Sequence, residues 1–177
     1  MTRRSALFLT LLCLVIAGLV QRPRAQAPEM AQGYLPELTL ASRQLLQLAE
    51  ATPAGKFGWR PAPGVRSISE VYMHITLGNY MLLGQAGVKT GFDMARLGKE
   101  PETAVTEKAD VIRLLRESLD AVGKAYQTAD RRKPVKFFDR DAVADGIFLR
   151  ILLHDNEHMG QSIAYARMNG IAPPWSQ

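Results

Sequence analysis

Apolar residues recur every three to four positions in four separate stretches of this chain, and each stretch gives way to a segment rich in proline or glycine. That period marks one face of an α-helix, and no long alternating pattern of the strand type competes with it. The first helix is expected over Leu35–Ala51, with Leu35, Leu38, Leu45 and Ala49 on one stripe and Leu46 and Leu48 widening it. TPAGKFGWRPAPGVR, Thr52–Arg66, cannot be helical and reads as a connecting loop. The second helix has a sharp start: Ser67-Ile68-Ser69-Glu70 fits a capping box, in which the hydroxyl and the carboxylate each satisfy an orphan backbone N–H. Val71, His74, Ile75, Gly78 and Leu82 then repeat at helical spacing to about Gln85. Gly78 in mid-helix costs about 1 kcal/mol of propensity, which is easier to explain if another helix or a ligand comes close to its backbone.

Ala86–Glu102 is a long irregular link, of a length suited to a crossover along a bundle. The third helix is expected over about Thr103–Ala129, with Val105, Ala109, Ile112, Leu115, Leu119, Val122 and Tyr126 inward, and Lys108, Arg113, Glu117 and Lys124 on a solvated face. RRKPVKFFDRD forms a second link, its basic run Arg131–Lys133 reading as a solvated helix end. The fourth helix is expected from Ala142 or Asp145 to Asn169, where Gly170 suits the position after the helix and Pro173-Pro174 forbids continuation. Four amphipathic helices in about 150 residues imply an all-α four-helix bundle.

The 177 residues suffice for one domain. A net charge of +5 and a pI of 9.6 suggest a nucleic-acid partner until the N-terminus is read. Arg3 and Arg4 precede an uncharged run, Ala6–Val20, and an Ala25-Gln26-Ala27 ending follows, the pattern of a secretory signal peptide over residues 1–27. Pro28 would hinder cleavage after Ala27, leaving an uncleaved membrane anchor as the alternative; the apolar run is short for a membrane span. Without residues 1–27, the remainder, 28–177, carries 18 basic and 17 acidic residues. No basic face interleaved with aromatics stands out, so nucleic-acid binding is not expected. The one cysteine, Cys13, lies within the leader, and the exported domain therefore has no disulfide, thiolate nucleophile or cysteine zinc ligand. A periplasmic or secreted protein is expected, without stable membrane association once the leader is removed.

The chain has three histidines, and two of them, His154 and His158, stand one helical turn apart within LLHDNEHMGQSIAYARMNG. That spacing lets two imidazoles share one ion. His74 falls on the inner stripe of the second helix and could join them if the two helices are neighbours. Spacing alone leaves a second reading open, that of hydrogen-bonded core histidines. HDNEH lacks the glutamate that follows the first histidine in a zincin, so a peptidase is not expected. Asp155 sits in the apolar arc, where it could orient a histidine N–H or accept bonds from elsewhere. Asn79, Glu157 and Gln161 are the other candidate helpers, each also readable as ordinary polar residues; Tyr165 and Arg167 could pack near the helix end, and Trp59 and Trp175 could pin loops to the bundle.

FGWRPAPGVRSISEVYMHI, TEKADVIRLLRESLDAV and HDNEHMGQSIAYARMNGIAPPWS together resemble the DinB-like (DinB/YfiT-type) family over nearly all of Gly33–Ser176. The resemblance implies an up-down-down-up bundle and a divalent metal held by one histidine of the second helix and an HxxxH pair on the fourth. By position these are His74, His154 and His158. Zinc is the first expectation for the ion, with nickel or iron as alternatives. Relatives include thiol-dependent transferases and isomerases and some metal-dependent hydrolases. The resemblance thus implies an exported hydrolase or thiol-linked transferase acting on a small molecule. The reading from another class is a non-catalytic bundle whose metal is structural or which binds a small ligand or partner. A homodimer would be a common arrangement.

Overall fold

The computed structural model describes residues 33–176. The expected leader and Cys13 lie outside the described residues. Four helices carry the fold: α1 (Leu35–Ala51), α2 (Ile68–Gln85), α3 (Lys108–Thr128) and α4 (Ala144–Met168). A short antiparallel hairpin, β1 (Pro134–Phe137) and β2 (Arg140–Val143), stands between α3 and α4. Both α1 and α2 pack on α3 and α4, so α1 and α2 occupy opposite corners of a square.

A few bonds fix the helix directions. Lys108 at the start of α3 donates to the carbonyls of Glu50 and Thr52 at the end of α1, at 2.7 Å each, while Tyr34 N–H at the start of α1 reaches the Tyr126 hydroxyl near the end of α3. These two helices are antiparallel. The Tyr34 hydroxyl also donates to the carbonyl of Asp145, which makes α1 and α4 parallel. Asn79 meets Ser118, and Ala86 shares a groove with Ala125, so α2 and α3 run together. Gly78 lies against His154 and His74 against His158, so α2 and α4 oppose each other. The order is up-down-down-up, as expected.

Local chemistry sets the ends. Pro36 opens α1, where a missing N–H costs nothing. The capping box at α2 is complete: the Ser67 hydroxyl accepts from Glu70 N–H, and the Glu70 carboxylate accepts from Ser67 N–H at 2.8 Å. Two starts differ from the sequence reading. Helix α3 begins at Lys108 rather than Thr103, because Thr103 turns back to the Glu100 carbonyl with both its N–H and its hydroxyl. Val105 therefore packs against the core from the link rather than from the helix. The second link, in which no strands were expected, pairs Val135 with Ala142 and Lys136 with Asp141 across a two-residue turn. The turn places Phe138 and Asp139 at φ values of 44° and 65°, the left-handed conformations a tight hairpin needs. The segment before the hairpin also serves as a cap: Val143 offers α4 no side-chain cap, and Ala144 and Asp145 N–H donate instead to Lys133 and Arg131 carbonyls.

The core divides into two apolar clusters along the bundle. One gathers around Leu45, Val71, Ile75 and Leu115, the other around Leu38, Leu83, Val122 and Ile151. Between them lies a buried polar layer of Gly78, Asn79, Ser118, His154 and Asp155. No helix of the described residues is long and apolar enough to cross a membrane.

Ser67→Ala removes one half of the capping box at the helix that carries His74. It is expected to lower the unfolding free energy by about 1 kcal/mol in urea titration; an unchanged midpoint would count against a capping role.

Candidate metal centre

His74 sits on α2 about two turns beyond its cap, and His154 and His158 sit one turn apart on the opposing α4. What lets the two helices bring these rings together is Gly78. A Cβ built there would collide with Cε1 of His154 and stand 3.1 and 3.2 Å from its two ring nitrogens. The imidazole of His154 therefore lies directly on glycine backbone. Ring centroids are 5.0 Å apart for His74 and His154, and 4.6 Å for each of the other two pairs.

Hydrogen bonds orient two of the rings. His74 Nδ1 lies 2.7 Å from Oε1 of Glu102, and with its proton donated there Nε2 keeps the free lone pair. Arg66 holds the same carboxylate through two bonds of 2.6 and 3.1 Å. His158 Nδ1 donates to Oε1 of Gln161 at 2.9 Å, and the Gln161 amide donates on to the Tyr165 hydroxyl at 3.0 Å. Nε2 of His154 stands 3.2 Å from Nε2 of His74. Two nitrogens bound to one tetrahedral ion at usual bond lengths stand about 3.3 Å apart. The three histidines place a nitrogen each within 4.8 Å of one another, and the donor set fits a metal ion.

Electrostatics favour the ligand form. Burial lowers the pKa of His74, aided by the Arg66 charge and opposed by the bond to Glu102. Burial likewise lowers His158, with the neighbouring histidines adding to it and the Gln161 bond opposing. Both rings are therefore held neutral, with a lone pair to offer. Partial burial alone would raise the Glu102 carboxyl, but its bonds to Arg66 and His74 outweigh this and hold it below the usual range.

The other residues singled out by sequence fall in different places. Gln161 sits on His158. Asn79 is fully buried and turns to α3, donating to Ser118 at 3.3 Å. Glu157 points outward, 3.8 Å from Arg150. Asp155 is 1% exposed, and its Oδ1 lies 3.9 Å from His154 Nδ1, too far for a hydrogen bond; both atoms are buried without a partner among the described residues. Burial pushes the Asp155 carboxyl up to about 6, with His154 opposing. An ion held by the histidines would bring positive charge toward this carboxylate. Trp59 packs edge-on against Tyr165 and ties the first loop to α4, while Trp175 lines a groove with Arg43 and Gln47 of α1; Arg167 is exposed.

Sequence reasoning passed over Glu102 and Arg66. Both lie in links, and no spacing rule ties either to His74. The crossover link also brings Met94, Pro101 and Thr103 over Leu77 and Met81 of α2, walling a cleft of about 500 Å³ that opens on His74 and His154.

Residues 37–162 match the DinB superfamily, and all three histidines fall within that span. The chain is similar in fold to a DinB-like protein from Bacillus cereus known from its crystal structure. The TM-score is 0.69 at 22% identity, over 81% of this chain and 95% of that one. No curated protein matches.

Two substitutions test this geometry. Gly78→Ala should displace the His154 ring and weaken zinc binding by roughly tenfold or more while helicity by circular dichroism stays intact; unchanged affinity would mean the close approach is not needed. Asp155 titrates near 6 when folded against an ordinary 3.8, so its ionisation opposes folding, with the penalty absent below about pH 4 and complete above about pH 6. Asp155→Asn in metal-free protein should thus gain up to about 3 kcal/mol at pH 8 and little at pH 4, read by urea unfolding. Equal effects at both pH values would contradict a buried carboxylate.

Proposed function

We propose, because the chain belongs to the DinB superfamily, that His74, His154 and His158 hold a divalent metal ion with an open coordination position and that the protein is a metal-dependent hydrolase of small molecules. The observation that carries this reading is the convergence of three ring nitrogens beside a cleft. Three protein donors leave a position vacant, whereas structural zinc sites are closed by four. Such an ion, when bound, polarises a carbonyl and lowers the pKa of coordinated water toward about 7.

The chain's own groups do the rest. Glu102, pinned by Arg66, keeps the His74 proton on Nδ1, and Gln161 does the same for His158. Glu100 lines the cleft and makes no ion pair among the described residues, so its carboxylate is available to take up a proton there and return it to a leaving group. Zinc is the ion we propose, and an all-imidazole donor set also accepts nickel or iron. The leader pattern over residues 1–27 supports export to the periplasm or beyond. Export favours water over a low-molecular-weight thiol as the nucleophile, because such thiols are scarce outside the cytosol; a thiol-linked transferase is the second reading.

Protein purified without a polyhistidine tag and supplemented with zinc should hold about one ion per chain, and His154→Ala far less. Hydrolysis of a panel of small esters, amides and lactones should depend on the ion and vanish in His154→Ala. Failure to retain metal would remove the reading. A fully loaded protein that turns nothing over, and unfolds on chelation, would point to a structural ion instead.

A further inference from the structure

The cleft over the histidines has walls of two characters. Leu77 and Met81 from α2 face Met94 and Pro101 from the crossover link, an apolar surface on both sides. Met81 and Met94 are each 41% exposed, so the cleft presents their apolar surface to whatever enters it. Methionine is unbranched and polarisable, and it moulds to ligands of varied outline. Among the described residues, the charged side chains that line the cleft besides the histidines are both carboxylates, Glu100 and Glu102, and no lysine or arginine lines it. Arg66, which holds the Glu102 carboxylate beside the cleft, is engaged by it through two bonds.

The geometry points to a ligand with an uncharged, largely apolar body and a single metal-seeking head. This rests on the metal reading above, since the head must reach an ion at the histidines. The body lies along the methionines, where removal of apolar surface from water drives binding. A second negative charge on the ligand finds no cation among the described lining residues and meets the Glu100 carboxylate. Phosphorylated and polycarboxylate substrates are therefore disfavoured. The cleft volume, about 500 Å³, falls in the range of small-molecule sites.

Three hydroxamic acids with one common head test this on cobalt-loaded protein, with binding read from the visible cobalt spectrum. Acetohydroxamic acid reports the head alone, hexanohydroxamic acid adds an apolar tail, and adipic acid monohydroxamate adds a tail of similar length ending in a carboxylate. Each buried methylene is worth about fourfold in affinity, so the hexanoyl compound should bind at least about tenfold tighter than the acetyl one. The adipoyl compound should lose most of that gain. Met94→Glu should abolish the tail's advantage, so that the hexanoyl compound binds the variant no tighter than acetohydroxamic acid does. Equal affinity for the acetyl and hexanoyl compounds, or tightest binding of the adipoyl compound, would overturn the inference while leaving the metal site standing. A cobalt spectrum unmoved by all three would instead overturn the open-site reading on which it rests.

Discussion

The contact between the backbone at Gly78 and the imidazole of His154 is the constraint on which the site depends. A Cβ at position 78 would occupy the place of the His154 ring. Removing a single Cβ lets the ring rest on the helix itself, and His74, one turn away on α2, then comes within 3.2 Å of it. The mid-helix glycine sacrifices about 1 kcal/mol of helix propensity. Its position opposite a histidine, rather than at a bend or a cap, gives that sacrifice a reason.

The helix order supplies the rest of the surroundings. Because α2 and α3 run parallel, the chain must return along the bundle between them, and the returning link passes over the end of α2 that carries His74. That passage delivers Glu102 to the ring, and the Lys108 ammonium that follows closes the carbonyls at the end of α1. An antiparallel pair joined by a tight turn would have neither. The topology thus determines which part of the chain can serve as an outer partner to the histidines.

This explains what could be read from the sequence and what could not. The bounds of α1 and the capping box at Ser67 followed from periodicity and local hydrogen-bond chemistry, which involve residues a few positions apart. The histidine pair on α4 was legible for the same reason, and His74 through its place on the inner stripe. The start of α3 was misplaced by five residues because Thr103 bonds back into the link, a choice its apolar neighbours do not advertise. The hairpin went unread because Phe138-Asp139 carries no glycine to signal left-handed backbone. Glu102 lies 28 residues from His74, and only the folded path of the link joins them.

The division of labour between helices and link has a physical logic. The histidine nitrogens stand on rigid elements whose spacing is set by packing, and hydrogen bonds to Glu102 and Gln161 fix two of the rings. The cleft wall, by contrast, draws half of its apolar surface from the link, where Met94 and Pro101 are bound by few core contacts and can change without disturbing the bundle. The buried layer around Asp155 and Asn79 bears the opposite burden. It leaves buried oxygens without partners among the described residues, between two apolar clusters, a cost that no packing argument recovers. A scaffold selected for stability alone would fill that layer with leucine. Its polarity suits the floor of a site whose three imidazoles could hold an ion.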